Sequence, residues 1–286
     1  MNIVIQGLGE MGASLALILN QQPENHVVGV DVIESTRVYA LKHHIVSQVS
    51  TTLANVAVNA DVIILATPVS LIKQAMVELS KMSLKKNVII TDTGSTKSDI
   101  MAIANSELRH QIFIGGHAMA GTHQSGIDYA NSNLYDGAPY FLTANKLGMN
   151  HINRLKTILT PIQAKFKEID VAAHDNLMAV ISDVPHIAAF ALMNTAVKQL
   201  GPSEKFGNYV AGGFKDTTRI AASDPKLWAD ILLSNKDSVV ANNQALITEL
   251  QAFNTTLLEN DLTNLIALIQ SAQISRQNLL SEEHND

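Results

Sequence analysis

Seven short apolar runs rich in Val and Ile recur through the first 171 positions: NIVIQG, HVVGVDV, DVIILATP, NVIITDTG, QIFIGGH, PYFLTA and AKFKEIDV. Between several of them lie stretches whose apolar residues return every three or four positions, such as EMGASLALILNQQ and LIKQAMVELSKM. Strands alternating with amphipathic helices predict βαβ units and a parallel sheet covered on both faces. After Val171 the pattern changes. AAHDNLMAVISDVPHIAAFALMNTAVKQL is long and helix-periodic, interrupted only by Pro185, which removes one backbone hydrogen bond and predicts a kink. Two more helical patterns follow, PKLWADILLSNKDSVVANNQALITELQAFNTTLLEN and LTNLIALIQSAQISRQNLL, with no further strand. The expected architecture is an α/β domain over 1–171 and an all-helical domain over 172–286, with the boundary near 170–173 and a frayed polar end.

Composition adds to this picture. Of the 286 residues 47% are apolar and only 16% charged, against roughly 25% charged in an ordinary globular domain. So little material for a solvated surface predicts extensive burial and a subunit interface. The net charge of −6 and the lack of a basic tract argue against a nucleic-acid partner. Cysteine is absent, which excludes disulfides, thiolate catalysis and Cys-ligated metals and fits a reducing compartment. MNIVIQGLG reads as a strand entering a turn, leaving no room for a signal peptide. Apolar runs such as DVIILATPV are too short for a bilayer. A cytoplasmic protein without membrane or metal is expected.

GLGEMG places Gly7, Gly9 and Gly12 in the spacing G-x-G-x-x-G at the end of the first strand and the start of a helix. Gly7 permits the tight turn, Gly9 lets backbone approach a pyrophosphate, and Gly12 allows close helix–strand packing. Asp31 ends the second strand, where a carboxylate accepts from ribose hydroxyls and repels a 2′-phosphate, favouring NAD over NADP. A Rossmann-like dinucleotide site follows. Pro68, in ATPVS, stands at another strand end, either beside the cofactor or in an ordinary turn.

Two further strand ends are unusually polar. IITDTGSTKSDI carries Asp92, Ser95 and Lys97; FIGGHAMAGTHQSG carries His117 between glycine pairs. A histidine on a glycine-flanked turn has little packing around it and is ordinarily a surface histidine; its place beside a nicotinamide site favours a general base or a hydrogen-bonding role. In the helical half, Ser182 and His186 are i, i+4 neighbours and share a face, with a pocket role and a core histidine equally open for His186. Asp183 points elsewhere and receives no role. His174 and Asp175 read as a helix start, with the carboxylate capping. In GGFKDTTRIA, Lys215 and Arg219 also share a face, where like charges repel; an anion between or beside them is favoured over a solvated face with Asp216 pairing to a nearby cation.

GLGEMGASLA, DTGSTK, GGHAMAGTHQSG, ISDVPH and GGFKDTTRIA, in this order, give the chain a resemblance to the prephenate dehydrogenase family over nearly its whole length. The resemblance implies oxidative decarboxylation of prephenate by NAD⁺ to 4-hydroxyphenylpyruvate, on the route to tyrosine, and a homodimer formed by the helical domain. It implies that His117 takes the ring hydroxyl's proton, that Ser95 helps orient His117, and that His186 and Ser182 line the substrate pocket. Arg219, with Lys215 close by, would bind a substrate carboxylate. The chain departs from the family pattern at Ala118 (usually Pro), which is expected to loosen the turn, at His123 and Gln124, and at Asp183 (usually His). It also ends without an appended regulatory or chorismate mutase segment, so any tyrosine sensitivity is expected to arise within the two domains.

Three other readings are open. Arogenate dehydrogenase is the same chemistry on the amino analogue. A 6-phosphogluconate-like hydroxy-acid dehydrogenase would want a lysine early in the helical half, where none occurs before Lys198. A binding protein without turnover would have no use for His117, Ser95 and Arg219 together.

Overall fold

The computed structural model describes residues 1–122, 124 and 126–283, without the side chains of 280–283. An eight-stranded sheet runs in the order β3-β2-β1-β4-β5-β6-β7-β8. Its strands are β1 (Asn2–Gln6), β2 (His26–Val30), β3 (Gln48–Ser50), β4 (Val62–Leu65), β5 (Ile89–Asp92), β6 (Ile112–Ala118), β7 (Pro139–Ala144) and β8 (Lys165–Glu168). All seven predicted runs form strands. The addition is β3, three residues with one apolar side chain, which pairs at the edge with β2. One expectation is corrected: the sheet is not wholly parallel, because β7 runs antiparallel to β6. A parallel return needs a crossover, usually a helix, and among the described residues the link 119–138 holds only a short 3₁₀ turn, Ile127–Tyr129.

Helices α1 (Glu10–Asn20), α2 (Glu34–Lys42), α3 (Val69–Ser80), α4 (Ser98–Ser106) and α5 (Ile152–Ile158) flank the sheet. Alternation along the strands divides the core into two layers. Ile3, Ile5 and Ile64 pack with Leu15, Leu19 and Leu155 on one face, and Val4, Ile63 and Leu65 with Ile72, Met76 and Ile100 on the other. Every residue of β4 is buried, which is why the central strands read as unbroken apolar runs.

Glu168 ends the sheet and Val171 begins α6 (Val171–Met178), followed by a π turn, Ala179–Asp183, and α7 (Val184–Leu200). The kink expected at Pro185 takes the form of this π turn. Pro185 then lies in the first turn of α7, where its missing N–H is tolerated. Next come α8 (Ser203–Phe206), α9 (Gly212–Thr218), α10 (Pro225–Ser234), α11 (Lys236–Leu258) and α12 (Leu262–Glu283). One predicted helix is thus two, broken at Asn235, whose φ of −118° and ψ of 24° leave the helical region.

By compactness the chain forms one unit over Met1–Lys236 and another over Asp237–Asp286. Side-chain bonds explain why α6 to α10 belong with the sheet. Asp175 accepts the N–H groups of Lys97 and Ser98 at the start of α4. Asp230 accepts from Ser70 at the start of α3, and Thr96 bonds Ser234. The second unit is most of α11 followed by α12, with Leu257, Leu258, Ile266 and Ile269 exposed.

The helical run Val171–Leu200 reaches a mean hydropathy of 1.5 and is long and apolar enough to cross a bilayer, contrary to the expectation that no apolar stretch is. It nevertheless carries His174, Asp175 and Asp183 as buried, hydrogen-bonded side chains, as a helix packed on protein does.

The tightest point of the fold is the first turn. A Cβ on Gly12 would lie 1.9 Å from the Gly7 carbonyl oxygen. Gly12→Ala is expected to destabilise by about 1–3 kcal/mol, a fall in thermal midpoint of roughly 2–4 °C for each kcal/mol in a chain of this size. An unchanged midpoint would show that α1 can move off β1 freely.

Candidate active site

Three strand ends form a cradle at one edge of the sheet. Gly7 leaves β1 with φ +90° and donates its N–H to the Val30 carbonyl at 2.8 Å. A Cβ there would lie 2.5 Å from the Ala66 carbonyl oxygen, so only glycine fits. Gly9 begins α1 without a side-chain cap, and nothing lies within 4 Å of where its Cβ would be. The N–H groups and positive dipole end of α1 are therefore open to an anion. Asp31 fastens the turn: its carboxylate accepts from Leu8 N–H and Ile33 N–H, each at 2.9 Å. Arg37 donates to the Asp31 carbonyl at 2.7 Å. Pro68 starts α3 beside Thr67, whose methyl group packs against the glycine turn. Thr67 Oγ1 and Gln6 Oε1 are buried without hydrogen-bond partners. An uncapped helix end, a close-approach glycine, an acid and two orphaned polar atoms fit a dinucleotide.

The second half of the site is a buried polar network. Asp92 ends β5, pairs with the Lys97 ammonium, and accepts from Gly116 N–H at 3.1 Å and Gly94 N–H at 2.8 Å. A Cβ on Gly116 would lie 2.6 Å from the Asp92 carbonyl and 2.8 Å from Tyr140. Glycine thus draws β6 against β5 one residue before His117. His117 is not on an open turn, as its glycine neighbours suggested. It lies within β6, 9% exposed, with Nδ1 2.9 Å from His174 Nε2 and the two rings edge to face. His174 Nδ1 lies 2.7 Å from Asp175 Oδ1. Ala118 does not loosen a turn, because it ends β6 paired with Tyr140.

Electrostatics follow from this packing. Burial, then the neighbouring His174 and Lys97, hold His117 well below its ordinary value, so its ring is neutral. Burial also lowers Lys97, against the pull of Asp92 and Asp175. Burial pushes the Asp175 carboxyl upward, but bonds from His174, Ser98 and Lys97 outweigh it and bring the group to about 2.

The expected cap at His174–Asp175 is corrected. Asp170 caps α6, accepting from Ala172 and Ala173, while Asp175 caps a different helix, α4. Ser95 lies half-buried between β5 and α4, and the Nδ1 partner of His117 is His174 rather than Ser95. Asp92, Lys97, His174, Asp175 and Asn235 make up this buried network; the sequence marked Asp92 and Lys97 only as a polar strand end, read His174 and Asp175 as a cap, and gave no sign of Asn235. The one local hint was an adjacent His-Asp pair entering a long apolar helix.

On the helical side, His186 Nδ1 donates to the Ser182 carbonyl across the π turn at 2.8 Å. The contact to Ser182 is therefore through its backbone. The His186 ring stacks on Trp228 at 3.4 Å with Phe190 beside them, an aromatic wall that sequence reasoning missed. Burial lowers His186, the Ser182 carbonyl opposes this, and the charge of Arg219 adds to it. α9 ends at Thr218, so Arg219 opens a 3₁₀ turn and Lys215 lies one turn earlier. Both are exposed, and among the described residues neither forms an ion pair. His123 lies outside the described residues. Asp183, given no role above, is 2% exposed and accepts from Asn235, which also donates to the Asp175 carbonyl. Burial, offset by Asn235 and reinforced by Asp175, raises it to about 6.

Two family profiles match the chain: prephenate dehydrogenase, nucleotide-binding domain, over 15–168, and prephenate dehydrogenase, dimerization domain, over 170–271. The chain is 35% identical to the prephenate dehydrogenase of Bacillus subtilis (strain 168) over 97% of its own length and 76% of that protein. In structure it is similar to prephenate dehydrogenase from A. aeolicus in complex with hydroxyphenyl propionate and NAD⁺. There the TM-score is 0.89 and the identity 29%, with 98% of each chain covered. Synechocystis arogenate dehydrogenase superposes with a TM-score of 0.83 at 29% identity, covering 98% of this chain and all of that one.

Because Asp183 sits at about 6 in the fold against an ordinary 3.8, the folded protein keeps a proton that the unfolded chain releases in this window. Its stabilising contribution is full below pH ~4 and is lost as pH rises through ~6. The thermal midpoint of Asp183→Asn should therefore gain on the parent between pH ~4 and ~7. A difference independent of pH would reject the assignment.

Proposed function

Because the chain belongs to the prephenate dehydrogenase family, we propose that it catalyses NAD⁺-dependent oxidative decarboxylation of prephenate to 4-hydroxyphenylpyruvate. The observation that carries this reading is the neutral, buried His117 at the carboxyl end of β6, on the sheet edge where β1 and β4 present the cradle, the edge at which open α/β sheets bind ligands.

Gly7, Gly9 and Gly12 with the start of α1 would hold the pyrophosphate, Asp31 the adenosine ribose, and Pro68 with Thr67 would border the nicotinamide half. When bound, NAD⁺ supplies the acceptor for hydride from the ring carbon that bears the hydroxyl. His117 takes the hydroxyl proton at Nε2, leaving a ring carbonyl. The carboxylate then departs as CO₂, its bonding electrons aromatise the ring, and His117 returns the proton to the ring oxygen. No net proton is released. Ser95 contacts the same hydroxyl beside His117. His186 and Ser182 line the substrate pocket against Trp228. Arg219, with Lys215 near it, binds a substrate carboxylate, which removes the repulsion between two unpaired cations.

Residues 1–171 would form the dinucleotide-binding domain and 172–286 the substrate and dimerisation domain. The matched dimerization profile and the exposed Leu257, Leu258, Ile266 and Ile269 of the second unit support a homodimer. A cytoplasmic location, with neither membrane nor nucleic-acid partner, accords with the absence of cysteine and the net charge of −6. The likeness to an arogenate dehydrogenase keeps arogenate as the second substrate to offer.

The test is NADH formation by the purified protein with prephenate and with arogenate, using NAD⁺ and then NADP⁺. Turnover is expected with prephenate and NAD⁺. His117→Asn should lower kcat by about 10²–10⁴-fold, the range of general acid–base catalysis. Arg219→Gln should act mainly on the KM for the substrate. Turnover confined to arogenate would move the error to the side-chain pocket. Folded protein that binds NAD⁺ and turns over neither compound would reject the reading.

A further inference from the structure

For a neutral His174, the hydrogen-bond chain behind His117 admits one assignment of protons. Asp175 accepts N–H groups at both oxygens, from Lys97 on Oδ1 and Ser98 on Oδ2, each at 2.8 Å. An ionised carboxylate only accepts, so the His174 Nδ1 facing it at 2.7 Å carries a proton. The other nitrogen of a neutral imidazole is then a bare acceptor. His117 Nδ1, 2.9 Å from His174 Nε2, must therefore be the donor. That leaves the lone pair of His117 on Nε2.

We propose that His174 and Asp175 are positioning residues that lock His117 in its Nδ1–H tautomer and so make Nε2 the proton acceptor of the reaction. The inference rests on the reading of His117 as the base. Both ring nitrogens of the fully buried His174 are committed to this chain, and Phe141 packs edge-on against its ring. An apolar ring could fill that space. The imidazole is justified only by the direction of the two hydrogen bonds, since a buried polar group stabilises little beyond the partners it satisfies.

The charged surroundings agree. Lys97 from the loop before α4 disfavours a second cation at His117, with Asp92 from β5 as its counter-ion. Asp175 from α6 is the one carboxylate in the chain to His117. Asp183 from the π turn is bonded to Asn235, and Tyr140 from β7 is a buried hydroxyl that burial and Asp92 hold protonated. When Nε2 takes the substrate proton, one O–H bond is exchanged for one N–H bond. The cation so formed faces Asp175 through His174. The exchange reverses at the ring oxygen, so the pair must hold the proton without exporting it.

Glutamine and phenylalanine at position 174 separate positioning from structure. Glutamine can accept from His117 through Oε1 and donate to Asp175 through Nε2, keeping the polarity of the chain; phenylalanine can do neither. His174→Phe should lower kcat for prephenate by about 10–100-fold, the usual scale for loss of an orienting partner, with KM values for NAD⁺ and prephenate within about twofold. The acidic limb of its pH–kcat profile should shift, and His174→Gln should recover most of the rate. The direct readout is ¹⁵N NMR of histidine-labelled protein, where the parent and His174→Gln should show His117 protonated at Nδ1 alone and His174→Phe a mixture. A parent protein with the proton on Nε2, or a folded His174→Phe with unchanged kcat and profile, would overturn the proposal. If His174→Phe does not fold, the parent and glutamine spectra decide. His117→Asn run beside them tests the base itself: full turnover there would end that reading, while the tautomer measurement still judges the lock.

Discussion

A single buried carboxylate, Asp175, holds the two kinds of structure in this chain together. It projects from the first helix after the sheet and accepts three N–H groups: two from the backbone at the start of α4 and one from the neighbouring imidazole. Taking a carboxylate out of water costs several kcal/mol. A hydrogen bond to a charged group contributes about 1.5–3 kcal/mol, so three such bonds reach the size of that cost, and the positive end of α4 adds to them. The group stays ionised because its environment was built as an anion site. The start of α4 and the ring of His174 are both fastened to it.

Around Asp175 the charges are arranged so that few can coexist. Lys97 and Asp92 neutralise each other, which leaves Asp175 as the unbalanced anion in a water-poor space. A second carboxylate there, Asp183, is driven toward its neutral form by burial and by Asp175, with Asn235 bridging the two residues. A second cation is equally disfavoured, and His117 remains neutral. Two acids driven apart, one to about 2 and the other to about 6, with one amide between them, are an outcome of environment rather than of residue type. The same environment gives a histidine that is unprotonated at rest yet faces an anion able to stabilise its protonated form.

Much of this was legible in the sequence because it depends on neighbours along the chain. Seven strands announced themselves as apolar runs, and Gly7, Gly9, Gly12 and Asp31 formed a local pattern with a mechanical meaning. β3 was not legible, since three residues with one Val carry no period. The antiparallel β7 was hidden because an apolar run says nothing about direction. His174 and Asp175 failed for another reason: an acid near a helix start is the ordinary signature of a cap, and the nearer Asp170 fills that role here. The helix that Asp175 caps lies 77 residues away, and no periodicity reports a contact of that kind. His117 was singled out for the right position and the wrong surroundings. Glycines that suggest an open turn serve here to let two strands and a tyrosine close on one another.

The division of labour between the two kinds of structure follows from rigidity. Groups that must be placed to a fraction of an ångström sit on strand ends and on the first turns of helices. Gly12 against Gly7 and Gly116 against Asp92 leave no room for a methyl group, which holds α1 on the glycine turn and the strand of His117 on β5. Lys215 and Arg219, by contrast, are exposed on a short helix and a 3₁₀ turn, where side chains are free to adjust. Between these extremes lies the stack of His186 on Trp228, its ring oriented by the Ser182 carbonyl of the π turn. A straight α-helix would commit the Ser182 carbonyl to the N–H four residues on, which is that of His186 itself. Here the same carbonyl accepts from the His186 ring, which couples the irregular turn to the orientation of an aromatic wall.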